Sequence, residues 1–397
     1  MTADSHPVPV GAAGSAVAAR QAAIERSGWG NRMSLWQPRN ACYWLFLIAL
    51  GYGLYYMADY ANVHIRLYAP ALAVNSIVFA FYALLFWWFT TRIDRYSSQP
   101  VAVKVAAFVW GGFVAPWTIA MNGNTALIDL LGKLFGQNFA DNWGAGIAAP
   151  IFEELGKGSG VLLLLFLAPR VVRTAYDGFI IGAFAGLGFE ILEDILYALN
   201  AAGEQFGSDQ LGSSLSTTAL RLLTGFSSHI AYTAIFGTGV VFLIGTVAQR
   251  RRTGLGLGLM LTAMVLHGWW DAGAVLSGGN LLVSYIMLVA ELAIALSIVV
   301  TVFNHTVKPE RAAMRTVMQP EADAGVITGE ELDALAGDRK QRRAYRKAAL
   351  GKADRSHRQH RLEAAHDLAD QLAAAGGKET ERVRFTRDEL RRLSPTA

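Results

Sequence analysis

From about residue 40 to residue 304 the chain is nearly all apolar, in long runs separated by short polar breaks, while both ends are polar. Apolar runs of this length predict membrane-spanning helices, each able to cross roughly 30 Å of hydrocarbon. The runs fall at about 41–57, 67–89, 101–121, 143–168, 177–199, 215–248, 254–277 and 281–303. Lys104 sits where its stem can reach back to the interface at the end of the third run. Residues 122–141 are too polar to span; Leu127, Leu130, Leu131 and Leu134 suit one side of a short surface helix. The expected fold is therefore all-α: a polytopic membrane protein with about eight transmembrane helices over residues 40–304, and polar cytoplasmic tails at 1–39 and 305–397.

Composition sharpens this picture. Hydrophobic residues make up 53% and charged residues 17%, against about 25% charged in soluble chains. Residues 1–39 are rich in Ala, Gly and Ser, lack the apolar stretch of a signal peptide, and read as a disordered tail. The 305–397 tail is helical or disordered, with Thr328–Glu331 and Thr386–Glu389 resembling helix-opening capping boxes. Its segment 339–361 is strongly basic, which suits anionic lipid head groups or a soluble partner; a solvated extension is the plainer reading. Arg92 and Arg95, Arg170 and Arg173, and Arg250 to Arg252 fall in alternate loops on the side of both tails, so both termini are expected in the cytoplasm. The formal charge of +4 arises mostly from such loops, and no nucleic-acid partner is expected. A single cysteine, Cys42, excludes an intramolecular disulfide and a cysteine metal cluster.

The candidate chemistry lies in charges that interrupt the apolar runs. Each ionised side chain at a helix centre costs about 2.5–3.5 kcal/mol on insertion scales. Yet Glu153, Glu154 and Lys157 fall within five residues, followed by Glu190, Glu193, Asp194, His229, His267, Asp271 and Glu291. Glu153 and Lys157 stand i,i+4, as do His267 and Asp271, and Gly186, Glu190, Glu193 and Tyr197 form one stripe. Gly178, Gly182 and Gly186 make consecutive small-xxx-small steps that admit a neighbouring backbone. At about 1.5 Å per residue, Glu153, Glu193, His229 and His267 can meet near the midplane or in the outer half. A catalytic zinc takes His and carboxylate ligands and leaves a further glutamate to act as base on water. His229 and His267 with one or two of Glu193, Glu154 and Asp271 fit as ligands, and Glu153 or Glu154 fits as base. No HExxH motif occurs. The same inventory suits a proton relay in a transporter, and the plainest reading is a structural ion pair with packing histidines.

Four motifs in order decide between these. They are Pro150-x-x-Glu153-Glu154-x-x-Lys157, Gly186-Leu-Gly-Phe189-x-x-x-Glu193-Asp194-x-x-Tyr197, Ser228-His229 and His267-x-x-x-Asp271, with Asp177-Gly178 preceding the second. Together they resemble the PrsW family of intramembrane metalloproteases, closely over about 140–275 and loosely in the eight-span layout. The resemblance implies a catalytic four-helix core over 143–277 in a bacterial-type plasma membrane. Glu153, Glu154, Lys157, Glu193 and Asp271 would be its catalytic residues, and His229, His267 and Glu193 its metal ligands. Zinc is the implied cofactor, although the wider group also has members that use glutamate-activated water without metal. Asp194 departs from the Asn often found there, and Glu190 has no counterpart role. The implied substrate is a membrane-anchored protein, an anti-sigma-factor-like regulator among the candidates. The rival class is a non-catalytic membrane scaffold or a proton-coupled transporter.

Overall fold

The computed structural model describes residues 10–225 and 228–393, and the described residues form helices joined by short links, with no strand among them. In chain order the helices are α1 (Val10–Ser27), α2 (Ala41–Ile93) and α3 (Val101–Val109). A π-helical stretch, Trp110–Ala120, continues α3 into α4 (Met121–Phe135). Then come α5 (Gln137–Leu167), α6 (Ala175–Ala202), α7 (Gln210–Thr224), α8 (Ser228–Ile244), α9 (Thr253–Asp271), α10 (Gly273–Leu276) and α11 (Leu281–Asp323). The chain ends in α12 (Gly329–Leu335), α13 (Arg339–Lys347), α14 (Lys352–Ala374) and α15 (Glu381–Arg392). It divides into two compact units: Met33–Asp94 with Val101–His305, and Met1–Arg32 with Arg95–Pro100 and Thr306–Ala397.

The first of these units is organised around α6. Every residue from Ala175 to Ile191 is buried, and α8 packs against it through the glycines expected to admit a neighbour. A Cβ on Gly182 would lie 2.2 Å from the Thr233 carbonyl oxygen, and one on Gly186 2.3 Å from that of His229. Only glycine permits this approach, and the approach sets the depth of His229 beside α6. Asp177 acts locally. Its Oδ2 accepts the backbone N–H groups of Arg173 and Thr174 at 2.7 Å, closing a capping box with Thr174 at the start of α6.

Among the described residues, three helices are long and apolar enough to cross a membrane: α2, the continuous run from Val101 to Phe135, and α11. Together α7 and α8, bent by 46°, would make a fourth. The chain is an integral membrane protein. Against the expected layout several boundaries differ. The runs 41–57 and 67–89 lie in one helix interrupted at Tyr68 (φ −132°, ψ 34°), two residues before Pro70, whose ring disfavours helical geometry upstream. The 215–248 run is split between α7 and α8, and α11 continues well past the end of its apolar part. Segment 122–141 is α4 followed by a turn at Gly136 (φ 91°) and the start of α5, so no separate surface helix forms. Helices α5, α6 and α9, which carry most of the charged residues inside the apolar region, do not stand among the three spans.

The second unit replaces much of the expected disorder with structure. Residues 10–27 form α1; residues 1–9 of the expected disordered tail lie outside the described residues. Arg20 donates from Nε to the Val317 carbonyl at 2.8 Å and from Nη2 to Glu321 at 2.9 Å. Trp29 donates its indole N–H to Asp370 at 2.9 Å. These partners are about three hundred residues away in sequence, which leaves no local signal for them. The capping box at Thr328 and Glu331 is present. The Thr386 box is not: α15 begins at Glu381 after its cap Thr380, and the Thr386 hydroxyl lies inside it, donating to the Arg382 carbonyl. Buried Glu331 takes Arg361 on both oxygens, with Nη2–Oε2 at 2.8 Å.

Candidate active site

The charged residues that interrupt the apolar helices converge. Pro150 opens the polar stretch of α5, and the next two turns place Glu153, Glu154 and Lys157 inward, all buried. Glu154 and Lys157 are wholly enclosed. Lys157 Nζ lies 2.7 Å from Glu154 Oε1 and 4.0 Å from Glu153 Oε2, so Glu154 is its principal partner. Glu154 is saturated: Oε1 also faces His267 Nδ1 at 3.1 Å, and Oε2 accepts from the Thr233 hydroxyl at 3.2 Å.

Proton positions follow from what each partner can do. An ammonium only donates, so His229 Nδ1, 2.9 Å from Lys157 Nζ, accepts. His229 Nε2 then donates to Glu193 Oε2 at 2.9 Å. The same Glu193 oxygen takes Arg221 Nη2 at 2.7 Å, while Arg221 Nε reaches Asp194 at 2.5 Å and its guanidinium lies 4.5 Å over the Tyr197 ring. An unbroken line of polar contacts thus runs Arg221–Glu193–His229–Lys157–Glu154–His267. Four helices, α5, α6, α8 and α9, supply it, with Arg221 from α7.

His267 lies at the end of this line, its Nδ1 directed at the Glu154 carboxylate. Its Nε2 faces Glu153 Oε2 at 3.5 Å and Asp271 Oδ2 at 3.4 Å. Both carboxylate oxygens are buried without a hydrogen-bond partner. Glu153 is held by its other oxygen, which accepts from Asn124 Nδ2 at 3.1 Å. Three polar atoms therefore converge with no close hydrogen bond made by either carboxylate oxygen, an arrangement that suits water or a cation.

Glu153, His229 and His267 can each offer one ligand atom, all within 4.8 Å of one another. Two imidazoles and a carboxylate are a zinc-type donor set, and Glu154 orients His267 in the manner of a carboxylate behind a metal-bound histidine. The donor set fits a divalent metal. Its composition differs from the expected one, since Glu153 stands in the group where Glu193 was expected; Glu193 is engaged by Arg221 and His229. His229 would join such an ion through Nε2 only by releasing Glu193.

The structure brings together the expected Glu153, Glu154, Lys157, Glu193, His229, His267 and Asp271. Glu190 takes a supporting place, accepting the His229 backbone N–H at 2.9 Å at the first turn of α8. Glu291 accepts from Tyr232 OH at 2.6 Å, and the Tyr232 ring stacks on His267 at 5.4 Å between centroids. Sequence reasoning missed Asn124, Arg221, Tyr232 and Thr233. For Arg221 a signal existed: Ser214, Thr218 and Arg221 share a face of α7, and the first two bond buried Asn75 of α2. Asn124, Tyr232 and Thr233 are single residues in otherwise ordinary helical sequence.

A family described as PrsW family intramembrane metalloprotease matches residues 99–301, just over half of the chain. The chain belongs to the PrsW family. The matched region contains every one of the converging residues. Membership implies an intramembrane peptidase, and the PrsW match stops before α12. Neither a curated protein nor a solved structure matches the chain.

Proposed function

We propose that this PrsW-family protein is an endopeptidase that hydrolyses a peptide bond of a membrane-anchored protein, using water activated by Glu153. The observation that carries this reading is Glu153 Oε2, a buried carboxylate oxygen without a hydrogen-bond partner, 3.5 Å from His267 Nε2. Glu154 cannot share the role, because Lys157, His267 and Thr233 occupy its oxygens. A general base must reach the proton that it abstracts, and of the two glutamates only Glu153 has an oxygen free to do so.

In this mechanism the water lies among Glu153, His267 and Asp271; Glu153 Oε2 takes its proton as the oxygen attacks the scissile carbonyl, and returns that proton to the leaving amine as the C–N bond breaks. Asn124 fixes the Glu153 carboxylate through Oε1 and leaves Oε2 turned to the water. Glu154 holds His267 in one tautomer, and Lys157 neutralises Glu154 so that this buried carboxylate persists. A divalent metal held by Glu153, His229 and His267 would occupy Glu153 Oε2 in place of its role as base, and would itself supply acidification of the water and Lewis acidity toward the carbonyl. The full reading is an eight-span layout with both termini in the cytoplasm of a bacterial-type plasma membrane. The substrate would be a membrane-anchored regulator of the anti-sigma-factor type.

The test co-expresses the full chain with a panel of single-span reporter proteins and compares wild type with Glu153→Gln. Reporter fragments made by wild type and absent with the variant are expected; identical fragment patterns overturn the proposal. Zinc content of the purified chain, beside His229→Ala with His267→Ala, separates the two forms of the mechanism. About one zinc per chain, lost in the variant, assigns the metal-assisted form, and none in active protein assigns the metal-free one.

A further inference from the structure

The second compact unit lies outside the family match for most of its length and carries a surface that the proteolytic reading does not use. Between residues 339 and 355 the chain has eight cationic residues and one carboxylate, Asp354. Arg339, Lys340, Arg343, Arg346, Lys347 and Lys352 are all exposed, and none of them stands in an ion pair among the described residues. Elsewhere in the same unit arginines are spent on carboxylates: Arg20 and Arg387 on Glu321, Arg361 on Glu331, Arg315 on Asp333. Helix α13 instead holds its charge outward.

A solvated basic helix is the ordinary reading of such a run, and charge by itself would not go beyond it. Leu350 does. It sits at the turn between α13 and α14, flanked by Lys347 and Lys352, and is 99% exposed. The turn is built to hold it there: the Leu350 backbone N–H donates to Asp354 Oδ2 at 2.9 Å, and Asp354 in turn pairs with Arg358 at 3.3 Å. A large aliphatic side chain presented to solvent between cations suits an anionic bilayer surface. There the cations meet phosphates and the leucine enters the acyl boundary. A soluble acidic partner would explain the charges but gives no reason for an isolated leucine with no groove around it.

A short connection ties α13 to the chain that leaves a membrane-spanning helix. Arg342 of α13 donates to Tyr96 OH at 2.9 Å. Tyr96 lies three residues after Ile93, the end of apolar helix α2, a reach of at most about 10 Å of extended chain. We infer that α13 and the Leu350 turn form a docking site for anionic phospholipid head groups of the membrane in which the chain is embedded. The inference does not depend on peptidase activity.

The test places the full chain in nanodiscs of phosphatidylcholine alone or with phosphatidylglycerol, which leave both faces accessible. Leu350→Cys, in a Cys42→Ala background, carries an environment-sensitive fluorophore, and trypsin cleavage is followed at Arg343, Arg346 and Lys347. Anionic discs are expected to blue-shift the fluorophore and to slow cleavage by on the order of tenfold. High salt and neutralisation of Arg339, Lys340, Arg343 and Arg346 to Gln should each remove the protection, the latter read at Lys347. Identical spectra and cleavage rates in the two lipid compositions overturn the proposal. So does protection that survives the four substitutions. Thermal unfolding of each variant shows that its fold is intact, so loss of protection reads on lipid alone.

Discussion

The two adjacent glutamates differ in a way that protein stability reports independently of activity. Glu154→Gln removes the carboxylate 2.7 Å from a fully buried Lys157 ammonium. At an effective dielectric of about 20, that contact is worth roughly 6 kcal/mol of Coulomb attraction and a 4.0 Å contact roughly 4. Glu153, at 4.0 Å, is the other carboxylate paired with Lys157, and it recovers only part of the loss. Breaking a buried pair from one side costs about 3–5 kcal/mol. Because the glutamine carbonyl still accepts from Lys157, the low end of that range, about 3 kcal/mol, is expected. Glu153→Gln is the opposite case. Its Oε1 keeps the Asn124 bond, and the oxygen that becomes an amide N–H₂ has no hydrogen bond to lose, so stability should hold within about 1 kcal/mol. Thermal unfolding of the full chain in detergent, followed by tryptophan fluorescence, reads both. At about 2–4 °C per kcal/mol, Glu154→Gln should lower the midpoint by about 6–12 °C and Glu153→Gln by little. Equal losses, or a larger one for Glu153→Gln, would refute the assignment of Glu154 to support and Glu153 to chemistry.

Other outcomes follow from particular contacts. Gly182→Leu should abolish folding, because even a Cβ there lies 2.2 Å from the Thr233 carbonyl; expression and detergent solubility check it. Arg221→Ala leaves Glu193 and Asp194 side by side without their guanidinium, so reporter cleavage should be lost and the midpoint lowered, with Arg221→Lys recovering stability in part. In the second unit, burial acts to raise the Glu331 pKa, but hydrogen bonds from Arg361 and the Thr328 N–H outweigh it and hold the carboxyl below its ordinary value. A depressed carboxyl stabilises above its unfolded pKa, so this contribution is lost as pH falls through the folded value. His366 has the opposite sign: burial opposes its charge, yet the Asp370 carboxylate at 3.4 Å outweighs this and raises its pKa. Its contribution is complete below the unfolded pKa near 6.5 and is lost as pH rises through the folded one. Hydrogen exchange of α12 and α14 against pH should show protection falling at both ends; protection flat toward acid would remove the Glu331 account.

The sequence by itself determined that this chain is helical and membrane-embedded, and it singled out most of the ionisable groups that the helices bring together. Long apolar runs admit few structures in lipid, and charges such as Glu153, Lys157 and His267 are tolerated there only when they meet one another. Glycines at four-residue spacing likewise announced a close helical neighbour before α8 could be named as that neighbour. What the sequence could not assign was the division of labour between Glu153 and Glu154. They are adjacent and chemically identical, and the difference lies in Thr233, His267 and Asn124, brought from three other helices. The same reason hid Arg221, which belongs to the site only because Asn75 holds α7 against α2. It also hid the order of residues 10–27, whose Arg20 is satisfied by Glu321 about three hundred residues later. Periodicity and solvation act along the chain and can be read there; which oxygen remains without a donor is decided by packing between helices, and only the tertiary structure contains it.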